Sequence, residues 1–495
     1  MKRTALCMAL AAAFPAGAVT PGADGLGQAL IYPYYTVQSA GGDAFNTYIS
    51  VVNHTAQAKA LRVRFREGRL GREALSFNLF LSANDVWTGA AVPSGDGTRL
   101  VTSDASCTEP AFSGSGSGAR FLDFRNDAFA GGSDDGAGSG LDRTREGFVE
   151  ILEMGVLTGA SAQFATHNSA GVPSNCDNLL SDLPTVAAPA GGLSGTLTLI
   201  NVANGLDFDA NAEALDNLAS HAYFRRANDP SADFNATQVD PVSVVTANGL
   251  TYRSTWSRGV DAVAATLMRD HAMAEYVLDQ STASLTDIVI TMPTRSLQTT
   301  PTTMTAPFTR PGQWAASCQA NGALGEPLGV TAFTREEQGI TVSGDCGFPE
   351  CPPATAAGAI CAASGVMNVR NNSLTQFVGT STAHTLVLGS ATLGASGGST
   401  GGVLNVAPNT NFANGWLDIQ AIGTGTLVSR ADSTFVRQAT GEAVTGPHTF
   451  RGLPIVGFAV RIFRNGTLTC GAGACQGNYG GAFPLKYRRN ITPSG

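Results

Sequence analysis

The chain has 495 residues and a formal charge of −8, and only 14% of its side chains are charged, against roughly 25% in ordinary globular proteins. Its 43% hydrophobic content excludes a wholly disordered chain, and its 59 glycines leave little material for long solvated helices. The acid excess, with no basic run, excludes nucleic acid as a partner, because phosphate binding takes clustered Lys and Arg.

Residues 1–18 read as a secretory signal. Lys2 and Arg3 form the charged start, Ala5 to Phe14 a short apolar stretch, and Ala16-Gly17-Ala18 the small-x-small pattern that precedes cleavage. No later apolar run reaches the roughly 18 residues of a membrane helix, so the mature chain is expected to be exported and not membrane-spanning. Its destination reads as extracellular or cell-surface, with the periplasm as the alternative.

The first patterned segment is Gln28–Val37. Leu30, Tyr32 and Tyr34 point one way, and Ile31, Pro33, Tyr35 and Val37 the other, so both faces ask for burial. Pro33 cannot donate to a ladder, which predicts an edge strand. Leu30, Ile31, Tyr32, Tyr34 and Tyr35 are therefore a candidate interaction strand, able to pair within the chain or to complete a neighbour's sheet. Thr47–Val52 reads as the next strand. Leu61 to Arg66 alternates strictly, with Arg62, Arg64 and Arg66 on one face; that ladder is a candidate face for an anionic partner such as a surface polysaccharide, unless acids such as Glu67 and Glu73 neutralise it. Leu75 to Leu81, Phe148 to Leu152, Leu197 to Val202, Ile288 to Ile290 and Val456 to Ile462 continue the strand pattern, and Asn465-Gly466 carries the strongest short hairpin signal. Residues 211–226 and 261–278 are the two helix candidates.

These segments predict an all-β fold, a mainly antiparallel β-sandwich with long Gly/Ser-rich loops, one or two short helices and a disulfide-stapled insertion. The expected organisation is a signal over 1–18, an N-terminal sandwich region over 19–295, a Thr/Pro/Cys-rich insertion over 296–365, and a C-terminal β region over 366–495 packing on the first. Beyond Cys7, eight cysteines remain: Cys107, Cys176, Cys318, Cys346, Cys351, Cys361, Cys470 and Cys475. An even set in an exported chain predicts disulfides, and proximity suggests Cys107–Cys176, Cys318–Cys346, Cys351–Cys361 and Cys470–Cys475.

No compact catalytic motif appears. Gly394-Ala395-Ser396-Gly397-Gly398 matches a nucleophile elbow in letters, but sits in a Gly/Ser/Thr tract without a strand before it. The six histidines are scattered with no ligand pair. Glu150 and Glu153 stand at an odd offset on one strand, as do the adjacent Glu336 and Glu337, so each pair splits between faces. No cofactor is expected; a Ca²⁺ ion is the one candidate, at Asp134, Asp135 and Asp142 or at Asp207, Asp209 and Asn211.

Three stretches carry a resemblance. They are Leu30-Ile31-Tyr32-Pro33-Tyr34-Tyr35-Thr36-Val37 with Ile49–Asn53 and Phe77 through Trp87, then Thr286–Thr294 with Thr334–Gln338, and Leu453–Phe458 with Asn478–Gly481. Together they resemble a family of exported, uncharacterised bacterial proteins, which implies export and a β-rich fold and lends no catalytic residues. The expectation is a structural or adhesive protein acting by protein–protein or protein–glycan contact, with itself or a surface polysaccharide as partner. The rivals are a secreted hydrolase with a site built from distant loops and a periplasmic ligand-binding module.

Overall fold

The alternating segments become strands whose ladders are almost all antiparallel in the computed structural model. It describes residues 17–38, 43–114, 119–236, 240–314, 325–336, 339–342, 358–370, 387–390, 403–405, 413–423, 425–470 and 473–493. Helix is confined, among the described residues, to four short α-helices and a few 3₁₀ turns.

The largest sheet runs in the order Ala443–Thr445, Thr434–Arg437, Leu250–Thr255, Val242–Ala247, Ala18–Pro21, Glu213–Asp216, Ala29–Thr36, Glu146–Leu157, Lys59–Glu67, Glu73–Leu81 and Cys107–Glu109. Against it lies a six-stranded sheet, Leu206–Asn211, Leu193–Asn201, Asn46–Asn53, Val86–Ser94, Gly97–Thr102 and Arg120–Asp123. Leu30, Tyr32, Val63 and Phe77 of the first sheet share one core with Ile49, Val51, Leu197 and Leu199 of the second. A second pair of sheets is built from later chain. One contains Glu326–Thr334, Asn414–Ala421, His271–Val277 and Lys486–Arg488; the other contains Ser364–Arg370, Leu285–Thr291, Val456–Cys470 and Gly473–Pro484. Their inward residues, among them Ala274, Val330, Leu417, Ile288, Val366 and Phe458, belong to the same continuous core.

Ala29–Thr36 is an interior strand, which corrects the expected edge. It pairs with Glu146–Leu157 on one side and with Glu213–Asp216 on the other, and every residue in it is buried. Pro33 is tolerated because it falls where the first ladder shifts register, between Gly147 and Val149, and beyond Ile31, where the second ladder ends. Its carbonyl accepts from the hydroxyls of Thr291 and Ser364, on two adjacent strands of the other sandwich. The opposite face of the strand is covered too: Ala29 and Ile31 pack with Leu215, Val260, Val263 and Leu267, the last three on the helix Gly259–Leu267. Leu30–Val37, Thr286–Thr294 and Leu453–Phe458 thus meet at one seam, where Thr291 pairs with Val456 and reaches Pro33.

Both helix expectations need correction. The stretch 261–278 is helical only as far as Leu267, where the Ala-rich segment ends; His271–Val277 then alternates buried Ala272, Ala274 and Tyr276 with more exposed Met273 and Glu275, a period-two pattern that makes it a strand. The stretch 211–226 begins with the strand Glu213–Asp216 and then turns at Asn217, whose φ of 53° is left-handed. Asn465-Gly466 is not a hairpin turn. It lies inside Val456–Cys470, at a register shift between Arg464 and Thr467, and the hairpin closes only after Cys470, which pairs with Gly473.

Candidate functional site

The arginine ladder lies on the strand Lys59–Glu67. Arg62, Arg64 and Arg66 are all buried, and the chain over 225–230 lies across Arg62 and Arg64. Arg62 donates to the carbonyls of Arg225, Arg226 and Ala227, and Arg64 to that of Pro230 while pairing with Glu73 at 3.1 Å. Arg66 pairs with Glu150 at 2.7 Å. Burial, with Arg64 beside it, lowers the Arg62 guanidinium to about 10; burial lowers Arg64 too, whereas Glu150 outweighs burial at Arg66 and lifts it. A face so covered meets no external polyanion, so the expected anionic-partner face is withdrawn. Of the two acids expected to neutralise it, Glu73 pairs with Arg64, whereas Glu67 pairs with Arg143 at 2.8 Å.

The carboxylates are used structurally as well. Glu153 pairs with Lys59 at 2.7 Å with both side chains fully buried, and it accepts the backbone N–H groups of Ala190 and Gly191. Glu336 is exposed and pairs with Arg335; Glu337 lies outside the described residues. Asp135 and Asp142, expected as cation ligands, are held by arginines: Arg143 meets Asp135 at 2.7 Å and Arg69 meets Asp142 at 3.2 Å. Burial would raise the Asp135 carboxyl, but the bonded Arg143 keeps it below its ordinary value. Asp134 accepts the N–H of Gly136, and Asp209 accepts the hydroxyl of Thr198. Among the described residues no three His, Cys, Asp or Glu side chains converge as a cation site.

Three histidines meet partners that resemble catalytic ones. Ser82 Oγ lies 2.7 Å and Asp85 Oδ2 3.4 Å from His167, but both contact Nδ1, whereas a proton relay needs them on opposite nitrogens. Ser254 Oγ lies 2.9 Å from His448 Nδ1; both residues are wholly buried, out of a substrate's reach. His271 is held at Nδ1 by Asp418 at 2.7 Å and at Nε2 by Asp270 and Arg488. These are architectural contacts. Gly394–Gly398 lies outside the described residues.

Of the expected disulfides, Cys107–Cys176 is formed. It ties the edge strand Cys107–Glu109 to the short helix Cys176–Ser181. Cys361 is also disulfide-bonded, to a partner that is not among the described side chains. Cys318, Cys346 and Cys351 lie outside the described residues. The backbone sets Cys475 opposite Leu468 and Cys470 opposite Gly473 on neighbouring strands.

Among the described residues, two of the clefts could take a ligand. The larger, about 880 Å³, opens at the side of the first sandwich. One wall is the strand Glu73–Leu81; the other is Arg120–Asp123, the last strand of the facing sheet. Cys107–Glu109 covers Glu73–Leu81 only over Asn78–Phe80, because Pro110 has no N–H to continue the ladder. Glu73 to Phe77 therefore runs along the cleft without a neighbouring strand on that side; Ala74 contributes its carbonyl to the N–H of Arg125. Arg226, Ala227, Asn228 and Pro230 close the rim. Glu73, Glu109 and Asp123 are occupied by Arg64, Arg226 and Arg99, while the exposed Arg125 and Asp127 make no ion pair among the described residues. The smaller cleft, about 390 Å³, lies in the second sandwich between Trp416 and Phe483.

Comparison with protein-family models, with curated proteins and with solved structures returns no match. The site is therefore read from its geometry alone. Neither cleft is legible in the sequence. The first depends on where a three-residue strand stops, and the second joins Trp416 to Phe483 across two sheets; neither leaves a periodic signal.

Proposed function

We propose that this is an exported structural or adhesive protein that works by contact, taking an extended segment of a partner protein into the cleft beside Glu73–Phe77. The observation that carries the reading is a strand edge that no strand pairs with, where Arg125 takes the Ala74 carbonyl, set in a cleft of about 880 Å³ between two sheets. Such an edge recruits an added strand through main-chain hydrogen bonds, and the cleft's side chains select the sequence. The Cys107–Cys176 bond supports an oxidising compartment and hence export, together with the signal-like residues 1–18. A hydrolytic role finds no support in Ser82, Ser254 or the buried glutamates, whose atoms are committed to holding the fold.

The test is selection of short phage-displayed peptides on the oxidised chain. The selected peptides are expected to alternate apolar and polar residues and to lose binding by about tenfold or more with Ser76→Pro, which blocks the edge, and with Asn228→Trp, which fills the exposed rim. Selected peptides that bind both variants as tightly as the parent, or the absence of any enrichment, would overturn it.

A further inference from the structure

The smaller cleft has a different chemistry. Its floor is made of small residues, Ala274 and Ala459, and its walls are aromatic. It exists because Lys486–Arg488 pairs with His271–Val277 only as far as Met273, leaving Ala274 onward without a strand on that side. Trp416, opposite Glu275 on the neighbouring strand, is 37% exposed and stacks on Phe333 at 4.3 Å and 11°. Phe483 is 40% exposed, and its ring lies under the Arg461 guanidinium at 3.6 Å. Gly481, opposite Arg461 and two residues before Phe483, has no side chain to push that ring away; a Cβ there would sit 3.1 Å from it. Arg461 is fixed a second time by Glu275 at 2.9 Å. The aromatic walls are thus held in place before any ligand arrives, which lowers the ordering cost of binding.

The charge on the rim decides the ligand class. Glu275 and Arg461 cancel each other, and Lys486 is left. The sequence holds only three lysines, Lys2, Lys59 and Lys486; Lys59 is buried against Glu153, whereas Lys486 is exposed and its side chain has no partner among the described residues. We propose that this groove binds a saccharide bearing a carboxylate, such as a uronate chain. The apolar face of a pyranose ring lies on Trp416 and Phe483, its hydroxyls reach Glu275, and its carboxylate meets Lys486. Aromatic surface flanked by a few placed polar groups, at about 390 Å³, is the general form of a small-ligand site. The inference does not depend on the peptide cleft.

Calorimetric titration of the oxidised chain with a short oligogalacturonate tests it, alongside a neutral galactan oligosaccharide of equal length and an oligoglutamate. Saturable binding of the oligogalacturonate is expected, weakened by about tenfold or more in Phe483→Ala and in Lys486→Gln, with the two controls binding at least about tenfold more weakly. Both substituted side chains are exposed, so unchanged melting temperatures would show that the fold is intact. No saturable binding, binding indifferent to both variants, or equal binding of oligoglutamate or neutral galactan would overturn the proposal. Asn228→Trp should leave the titration unchanged, which separates this site from the peptide cleft.

Discussion

Arg66 and Glu150 sit 2.7 Å apart with side chains that are 8% and 1% exposed, so neither charge is rescued by water if the other is removed. Glu150→Gln should destabilise the chain by about 3 kcal/mol in urea unfolding, whereas Arg66→Met with Glu150→Leu should recover much of that loss. His448 gives a prediction of opposite origin. Burial lowers its imidazole to about 4, so the folded chain keeps it neutral while the unfolded chain protonates it near 6.5. Its contribution is therefore complete above pH 6.5 and is lost as pH falls from there towards 4. Between pH 7 and 4.5 that loss is on the order of 2 kcal/mol, and it should disappear from the unfolding curves of His448→Phe. At this scale the sequence shows the residue types and not their surroundings. Arg62 and Arg64 alternate like solvent-facing residues; what buries them is the chain over 225–230, more than 150 residues away. Glu150 and Glu153 do separate to different partners, as an odd offset on a strand requires, because period two is a local property.

Elements are more legible than residues, because hydrophobic alternation writes a strand directly. The segments read at 47–52, 61–66, 75–81, 148–152, 288–290 and 456–462 lie in observed strands, and 197–202 does so as far as Asn201, where its strand ends. The failures have identifiable causes. Pro33 predicts an edge only where an N–H is needed, and a bulge removes the need. Asn465-Gly466 predicts a turn, yet a bulge between the same strands uses that pair equally well. The Cys107–Cys176 staple joins the ladder to Asn78–Phe80 and the Arg226–Glu109 pair in fixing the short strand beside the larger cleft. It closes a loop with a sequence separation of 69, for which chain entropy gives about 4 kcal/mol. Cys107→Ala with Cys176→Ala should lower stability by roughly 2–4 kcal/mol and release Cys107–Glu109 from Asn78–Phe80, measurable as faster amide exchange over those strands.

The molecule as a whole is organised around the seam at Pro33. Strands distant in the chain share sheets: Leu285–Thr291 pairs with Val456–Cys470 at that seam, and Leu250–Thr255 pairs with Thr434–Arg437 farther along the largest sheet. One core runs through both sandwiches, so the two clefts are openings in a common framework. Long-range pairing of this kind is invisible to a reading that proceeds by windows, and for that reason the fold class was legible while the placement of both clefts was not. Within this framework Glu150 is held by Arg66, Glu153 by Lys59, and Ser254 lies against His448. Among the described residues, the surfaces proposed for contact with other molecules are a strand edge and an aromatic groove. Hydrogen exchange of the oxidised chain with and without a peptide selected on it addresses this most directly. The account predicts slowed exchange concentrated in the amides of Glu73 to Phe77 and in the facing Arg120–Asp123; unchanged exchange there, with protection appearing elsewhere, would contradict it.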